Sequence, residues 1–122
     1  MLFRSFECLL AREQDDAVGF AFYFWHYSTW LGRPSLYLED LFVRPSARRR
    51  GVATALLARL AQVAVARGCA RLDLQVLDWN ADALEFYAAL GGAPLRAWVP
   101  VRFEGPALHA LAARERRLSD AG

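Results

Sequence analysis

The chain contains no lysine and no isoleucine. Its fifteen basic residues are therefore all arginine, set against thirteen acidic ones, and the formal net charge is only +2. A committed nucleic-acid binder is usually more basic, so no nucleic-acid partner is expected. The missing lysine, with alanine, leucine, arginine and glycine in excess, points to a GC-rich, bacterial coding sequence rather than to a function. Cysteine and histidine are scarce. Cys8 and Cys69 form no CxxC pair and His26 and His109 lie far apart, so no metal-site spacing exists. Two buried thiols in a reducing, cytoplasmic compartment are the expectation. No apolar run reaches the roughly eighteen residues of a membrane span. The N-terminal MLFRSFECLL runs on without a small-residue cleavage site, which argues against a signal peptide. Repeats, linkers and low-complexity tracts are absent too. What is present is a core: 56% of the 122 residues are hydrophobic and 13% aromatic, enough for a single domain over 1–122.

Periodicity divides the chain into elements. Phe6 to Ala11 reads as a strand and Glu13 to Asp16 as a polar hairpin turn. Ala17 to Tyr27 is apolar on both faces and reads as a central strand. After a break at Leu31 to Pro34, Leu36 to Val43 forms a third strand, stopped by Pro45. From about Arg49 to Arg67, Val52, Leu56, Leu60 and Val63 recur at helical spacing, and Gly68 closes the helix. Arg71 to Leu77 alternates as a strand, and Ala81 to Leu90 is a short helix ending at Gly91-Gly92. A last strand is expected within Leu95 to Phe103 and a terminal helix from Pro106 to about Arg117. The order β-β-β-α-β-α-β-α implies antiparallel hairpins followed by a parallel crossover. The fold class is α/β with a mixed sheet (α+β in layout) covered by helices.

The stretch ARRRGVATALLARL, Ala47 to Leu60, carries the sharpest local signal. A helix start leaves about four backbone N–H groups unpaired at the positive end of the dipole. Gly51 and the small Ala53 let an anion approach those amides, and Arg48, Arg49 and Arg50 add charge at the rim. A solvated arginine face explains the same letters equally well.

Arg48-x-x-Gly51-x-Ala53, following an apolar strand, resembles the acetyl-CoA diphosphate loop of the GCN5-related N-acetyltransferases. LYLEDLFVRP, Leu36 to Pro45, is similar to that family's central strand. DWNADALEFYAALGGAP, Asp78 to Pro94, is similar to its second cofactor helix. Tyr27-x-x-Trp30-Leu31-Gly32, Tyr-Leu-Glu-Asp and Trp79-Asn80 resemble the diamine (spermidine/spermine) and thialysine branch. Ser28 and Thr29 stand between Tyr27 and Trp30, where an acid would mark a polyamine preference. The resemblance also implies that a usual first strand and two helices are lacking. The exposed sheet edge that results favours a homodimer.

It implies the fold of that superfamily and acetyl-CoA (coenzyme A) as cofactor. Backbone amides of Leu41, Phe42 and Val43 would take the pantetheine and polarise the thioester oxygen. Arg48, Arg49, Arg50, Gly51, Val52, Ala53 and Thr54 would take the diphosphate, and Asn80 either contacts the cofactor or caps its helix. Tyr87 matches the family's general acid, unless it is a core tyrosine. Glu39 and Asp40 are adjacent on a strand and so are expected on opposite faces of the sheet. Buried there, they would need partners or raised pKa values. Glu39 is the candidate to bind a protonated amine and take its proton, with Asp40 orienting substrate; a structural pair satisfied by arginines would use the same letters. Tyr27 and Trp30 are candidates for the amine pocket.

The leading reading is an N-acetyltransferase that moves an acetyl group to a primary amine of a small molecule (diamine, polyamine or lysine-like). Attack would be direct, in a ternary complex, because neither cysteine has a paired histidine. A degenerate acyl-CoA-binding protein of the same fold is the alternative. A nucleic-acid module fits less well, since the arginines end where the helix begins.

Overall fold

Residues 6–28 and 32–114 are described by a computed structural model. Trp30, with Thr29 and Leu31, lies outside the described residues. Two compact units divide the chain, Met1–Ala81 and Asp82–Gly122.

In the first unit, β1 (Phe6–Glu13), β2 (Asp16–Ser28) and β3 (Arg33–Val43) form an antiparallel meander. The turn between β1 and β2 is the expected polar one, and Gln14 adopts φ 56° in it. α1 (Val52–Ala66) then crosses to β4 (Leu72–Asp73), which pairs in parallel with β3 through Leu36↔Leu72 and Tyr37↔Asp73. Strand order is β1-β2-β3-β4. The expected strand from Arg71 to Leu77 pairs over those two residues only, and the chain beyond Asp73 leaves the ladder.

Alternation explains the two faces of the sheet. Gly19, Ala21 and Tyr23 share a face with Leu36 and Leu38, and Leu56, Leu57, Leu60 and Ala64 line the stripe of α1 that covers it. Leu36 and Leu60 are fully buried, each contributing about 2 kcal/mol of apolar transfer. At the far end of α1, Arg33 donates from Nε (3.1 Å) and Nη2 (2.9 Å) to the Gly68 carbonyl, tying the start of β3 to the end of the helix. Arg67 lies over the Trp25 ring at 4.6 Å. Trp25 and Tyr23 both donate to the Glu7 carboxylate, at 3.4 and 3.1 Å. The opposite face is aromatic: Phe6 packs on Phe22 and Phe24, Phe24 on Tyr37, and Phe20 on Phe42.

α1 begins three residues later than its periodicity suggests. Arg49 (φ 64°) and Gly51 (φ 80°) both take left-handed conformations, so no helical turn includes them.

The second unit holds α2, which begins at the boundary (Ala81–Ala89), and α3 (Pro106–Ala112). The strand expected within Leu95–Phe103 does not form. That stretch is irregular, and Trp98, Val99 and Val101 are each about three-quarters exposed. Pro94 and Pro100 remove N–H donors from a segment whose alternation otherwise suits a strand. Among the described residues no helix is long and apolar enough to cross a membrane.

At Gly19 the sheet and α1 approach each other closely. A Cβ there would sit 2.8 Å from the Phe42 carbonyl oxygen and 3.3 Å from Val52 Cγ1. A backbone oxygen gives way less readily than a side chain. Gly19→Ala should therefore destabilise the protein by about 1–3 kcal/mol in urea unfolding; an unchanged midpoint would contradict this packing.

Candidate active site

One extra residue shapes the middle of β3. Phe22 stands opposite Asp40 and Tyr23 opposite Leu38, so Glu39 has no cross-strand partner and forms a β-bulge. Leu38 remains buried on the α1 face, while Asp40 falls on the aromatic face with Phe22. Glu39 lines a cleft with Tyr37, which sits on that aromatic face as well. The expectation that Glu39 and Asp40 point to opposite sides is thus corrected: the bulge brings both to one side. The expected burial is corrected too. Both carboxylates are exposed, and among the described residues neither forms an ion pair.

The cleft, about 290 Å³, is lined by Tyr37, Glu39, Gln75, Val76 and Leu77. It opens where β3 and the segment after β4 part, just past the Tyr37↔Asp73 pair. Burial, then the negative charges of Glu39 and Asp73, push the Tyr37 phenol above its ordinary pKa, so it is a neutral donor at physiological pH.

Beyond Tyr37 the outer edge of β3 has no strand neighbour among the described residues. The Arg44 N–H donates to the Val18 carbonyl at 2.7 Å. In an antiparallel ladder such inward groups alternate. Phe42 therefore turns its amide to β2, while Leu41 and Val43 turn theirs outward. Of the three amides expected to serve a ligand, two are available and that of Phe42 is not.

The arginine run is partly engaged by the protein itself. Arg48 donates from Nε to the Val43 carbonyl at 2.9 Å and lies over the Phe42 ring at 5.9 Å, closing the loop back onto the end of β3. Arg50 forms an ion pair with Glu13. Gly51 is the N-cap of α1, with no side-chain capping bond, and its missing Cβ faces open space. The first amides of α1, at Val52, Ala53 and Thr54, are thus without a side-chain cap, beside a glycine that admits close approach. This donor set suits a phosphate.

Asn80 directly precedes α2, and its own N–H donates to the Leu77 carbonyl at 2.9 Å. Tyr27 is exposed and donates weakly to the Gly32 carbonyl at 3.4 Å. In the second unit, Tyr87 is half-buried on α2 beside Phe86, and burial raises its phenol pKa. Tyr37 and Gln75 are cleft residues that the sequence reading passed over. Tyr37 carried a signal, being two residues before Glu39 on one strand and hence on one face.

A profile of the acetyltransferase (GNAT) family matches residues 2–92. The chain belongs to the GNAT acetyltransferase family. A thialysine N-epsilon-acetyltransferase of Bos taurus is 43% identical over 100 residues, covering 80% of this chain and 58% of the bovine protein. An L-ornithine N5-acetyltransferase of Arabidopsis thaliana is 37% identical over 107 residues, covering 86% and 47%. This GNAT chain therefore spans about half to three-fifths of the length of these two relatives. Among solved structures, an integron cassette protein from the mobile metagenome of V. cholerae superposes with a TM-score of 0.80 at 34% identity, covering 88% of this chain and 66% of the other. An aminoglycoside N-acetyltransferase in complex with CoA gives 0.70 at 26% identity, covering 82% and 77%.

The left-handed Arg49 is a testable point of strain. Arg49→Ala and Arg49→Gly remove the same guanidinium, but only glycine takes φ 64° without penalty. The glycine variant should be the more stable of the two by about 1 kcal/mol. Equal denaturation midpoints would show that the turn carries no such strain.

Proposed function

We propose that this GNAT domain is an acetyl-CoA-dependent N-acetyltransferase acting on a primary amine of a small molecule. The observation that carries the reading is the bulge at Glu39. It leaves Glu39 exposed in the lining of a cleft and Asp40 exposed on the same face, on the strand whose next outward amides have no strand neighbour among the described residues. Leu41 and Val43 would hold the pantetheine arm, and the amides from Gly51 to Thr54, with Arg49, the diphosphate. When bound, the cofactor supplies an activated acetyl thioester.

The chain's own groups divide the remaining work. An amine arrives as a cation, which Glu39 and Asp40 attract and orient. Glu39 takes the proton, directly or through water, since only the neutral amine is nucleophilic. Tyr87, kept neutral by burial, holds a proton for the departing sulfur. Burial also pushes the Cys69 thiol up, ahead of the lowering by Arg33 and Arg67. It is therefore protonated and poorly nucleophilic, which supports direct attack over an acyl-enzyme. Thialysine and ornithine, named for two relatives, both carry a side-chain primary amine. The reading includes a bacterial, cytoplasmic homodimer. The arginine-only composition supports the first term, and the outer position of β1 in the described sheet supports pairing with a second chain.

Acetyl-CoA at about 100 times its Kd should stabilise the protein by about 2.7 kcal/mol; no thermal shift would dismiss the reading. Glu39→Gln and Tyr87→Phe should each lower kcat by about 10²-fold or more, with the Kd for acetyl-CoA changed less than about twofold. Binding without turnover in the unaltered protein would instead mark an acyl-CoA-binding protein. Because burial raises the Tyr87 pKa, the proton stays on the phenol below its ordinary value of about 10. The rate should then show no alkaline loss from Tyr87 below about pH 10. A fall between pH 7 and 9 that disappears in Tyr87→Phe would contradict its role.

A further inference from the structure

The arginine loop meets an anion that belongs to the protein. The β1–β2 hairpin ends in Glu13, Gln14, Asp15 and Asp16. Arg50 donates from Nη2 to Glu13 Oε1 at 2.6 Å and from Nη1 to Oε2 at 3.2 Å. Two parallel bonds from one guanidinium fork to both oxygens of a carboxylate are the geometry by which arginine also grips a phosphate. Arg50 is the residue before Gly51, the N-cap of α1.

We propose that Glu13 is an internal competitor for Arg50, holding the guanidinium until the coenzyme diphosphate displaces it. Glu13 thereby sets how tightly the loop binds its anion. The inference rests on the acetyl-CoA reading above. Glu13 occupies the edge of the fork between Nη1 and Nη2, taking one N–H from each, so a second anion can grip that edge only by displacing it. The pair is half-exposed, 52% for Arg50 and 48% for Glu13, and such pairs are weak enough to exchange. A diphosphate carries more charge than a carboxylate and has the loop amides as additional donors, so it wins the exchange. A scaffold role makes the opposite prediction: removing the carboxylate would loosen the loop and weaken binding.

Calorimetric titration of the intact chain with coenzyme A separates the two. Glu13→Gln should tighten binding about two- to fivefold. The dependence on salt should become steeper, because Arg50, no longer neutralised by Glu13, then adds its full charge to a salt-screened attraction for the diphosphate. In an Arg50→Gln background the same Glu13→Gln change should have no effect. Equal or weaker binding by Glu13→Gln overturns the proposal, as does a gain that persists without Arg50. Failure of the unaltered protein to bind coenzyme A would overturn the acetyl-CoA reading, and this inference with it. That outcome is distinguishable, because it appears before any variant is compared.

Discussion

An antiparallel ladder tolerates one extra residue only by bending, and in β3 that residue is Glu39. Much of the candidate site follows from this mismatch. The extra residue resets alternation, so Asp40 falls on the aromatic face with Phe22 while Leu38 stays in the core. Past the Tyr37↔Asp73 pair the parallel neighbour no longer accompanies β3, and the gap becomes the cleft. Had the register run on unbroken, Glu39 and Asp40 would have faced opposite sides of the sheet, as simple alternation requires.

The loop at the head of α1 depends on a second constraint, the close approach of helix and sheet at Gly19. With no Cβ there, Val52 and the Phe42 carbonyl come within contact of one residue. The strand edge and the first amides of the helix are thereby held near each other. The Arg44 N–H to Val18 bond and the Arg48 bond to Val43 fix the intervening turn from both ends. Positive φ at Arg49 and Gly51 lets the backbone reverse into the helix within so short a span.

Much of this architecture was legible in the amino-acid order. The apolar spacing of Val52, Leu56 and Leu60 marks α1, the polar run at Glu13 marks the hairpin, and the β-β-β-α-β order carries the parallel crossover. The glycine-bearing turn after an arginine run was legible as a candidate anion loop. Other features left no local trace. Letters do not show a bulge, because LYLEDLFV reads as an uninterrupted strand in either register. The Arg50 partner lies 37 residues away and meets it only through the hairpin. Leu95–Phe103 has a strand's alternation, yet Pro100 within it and Pro94 just before it interrupt the donors, and local propensity does not form a ladder without a paired edge.

The outward amides of Leu41 and Val43 have a consequence for divergence. Every residue but proline offers the same backbone N–H, so a grip made from such groups survives replacement of the side chains around it by any residue other than proline. In the proposed reading the main chain holds the common reactant, and the cleft side chains Tyr37 and Gln75 are separate from that grip. In that reading, a change of acceptor does not require the main-chain half of the site to be rebuilt. The scaffold itself is shared with a solved chain only 26% identical.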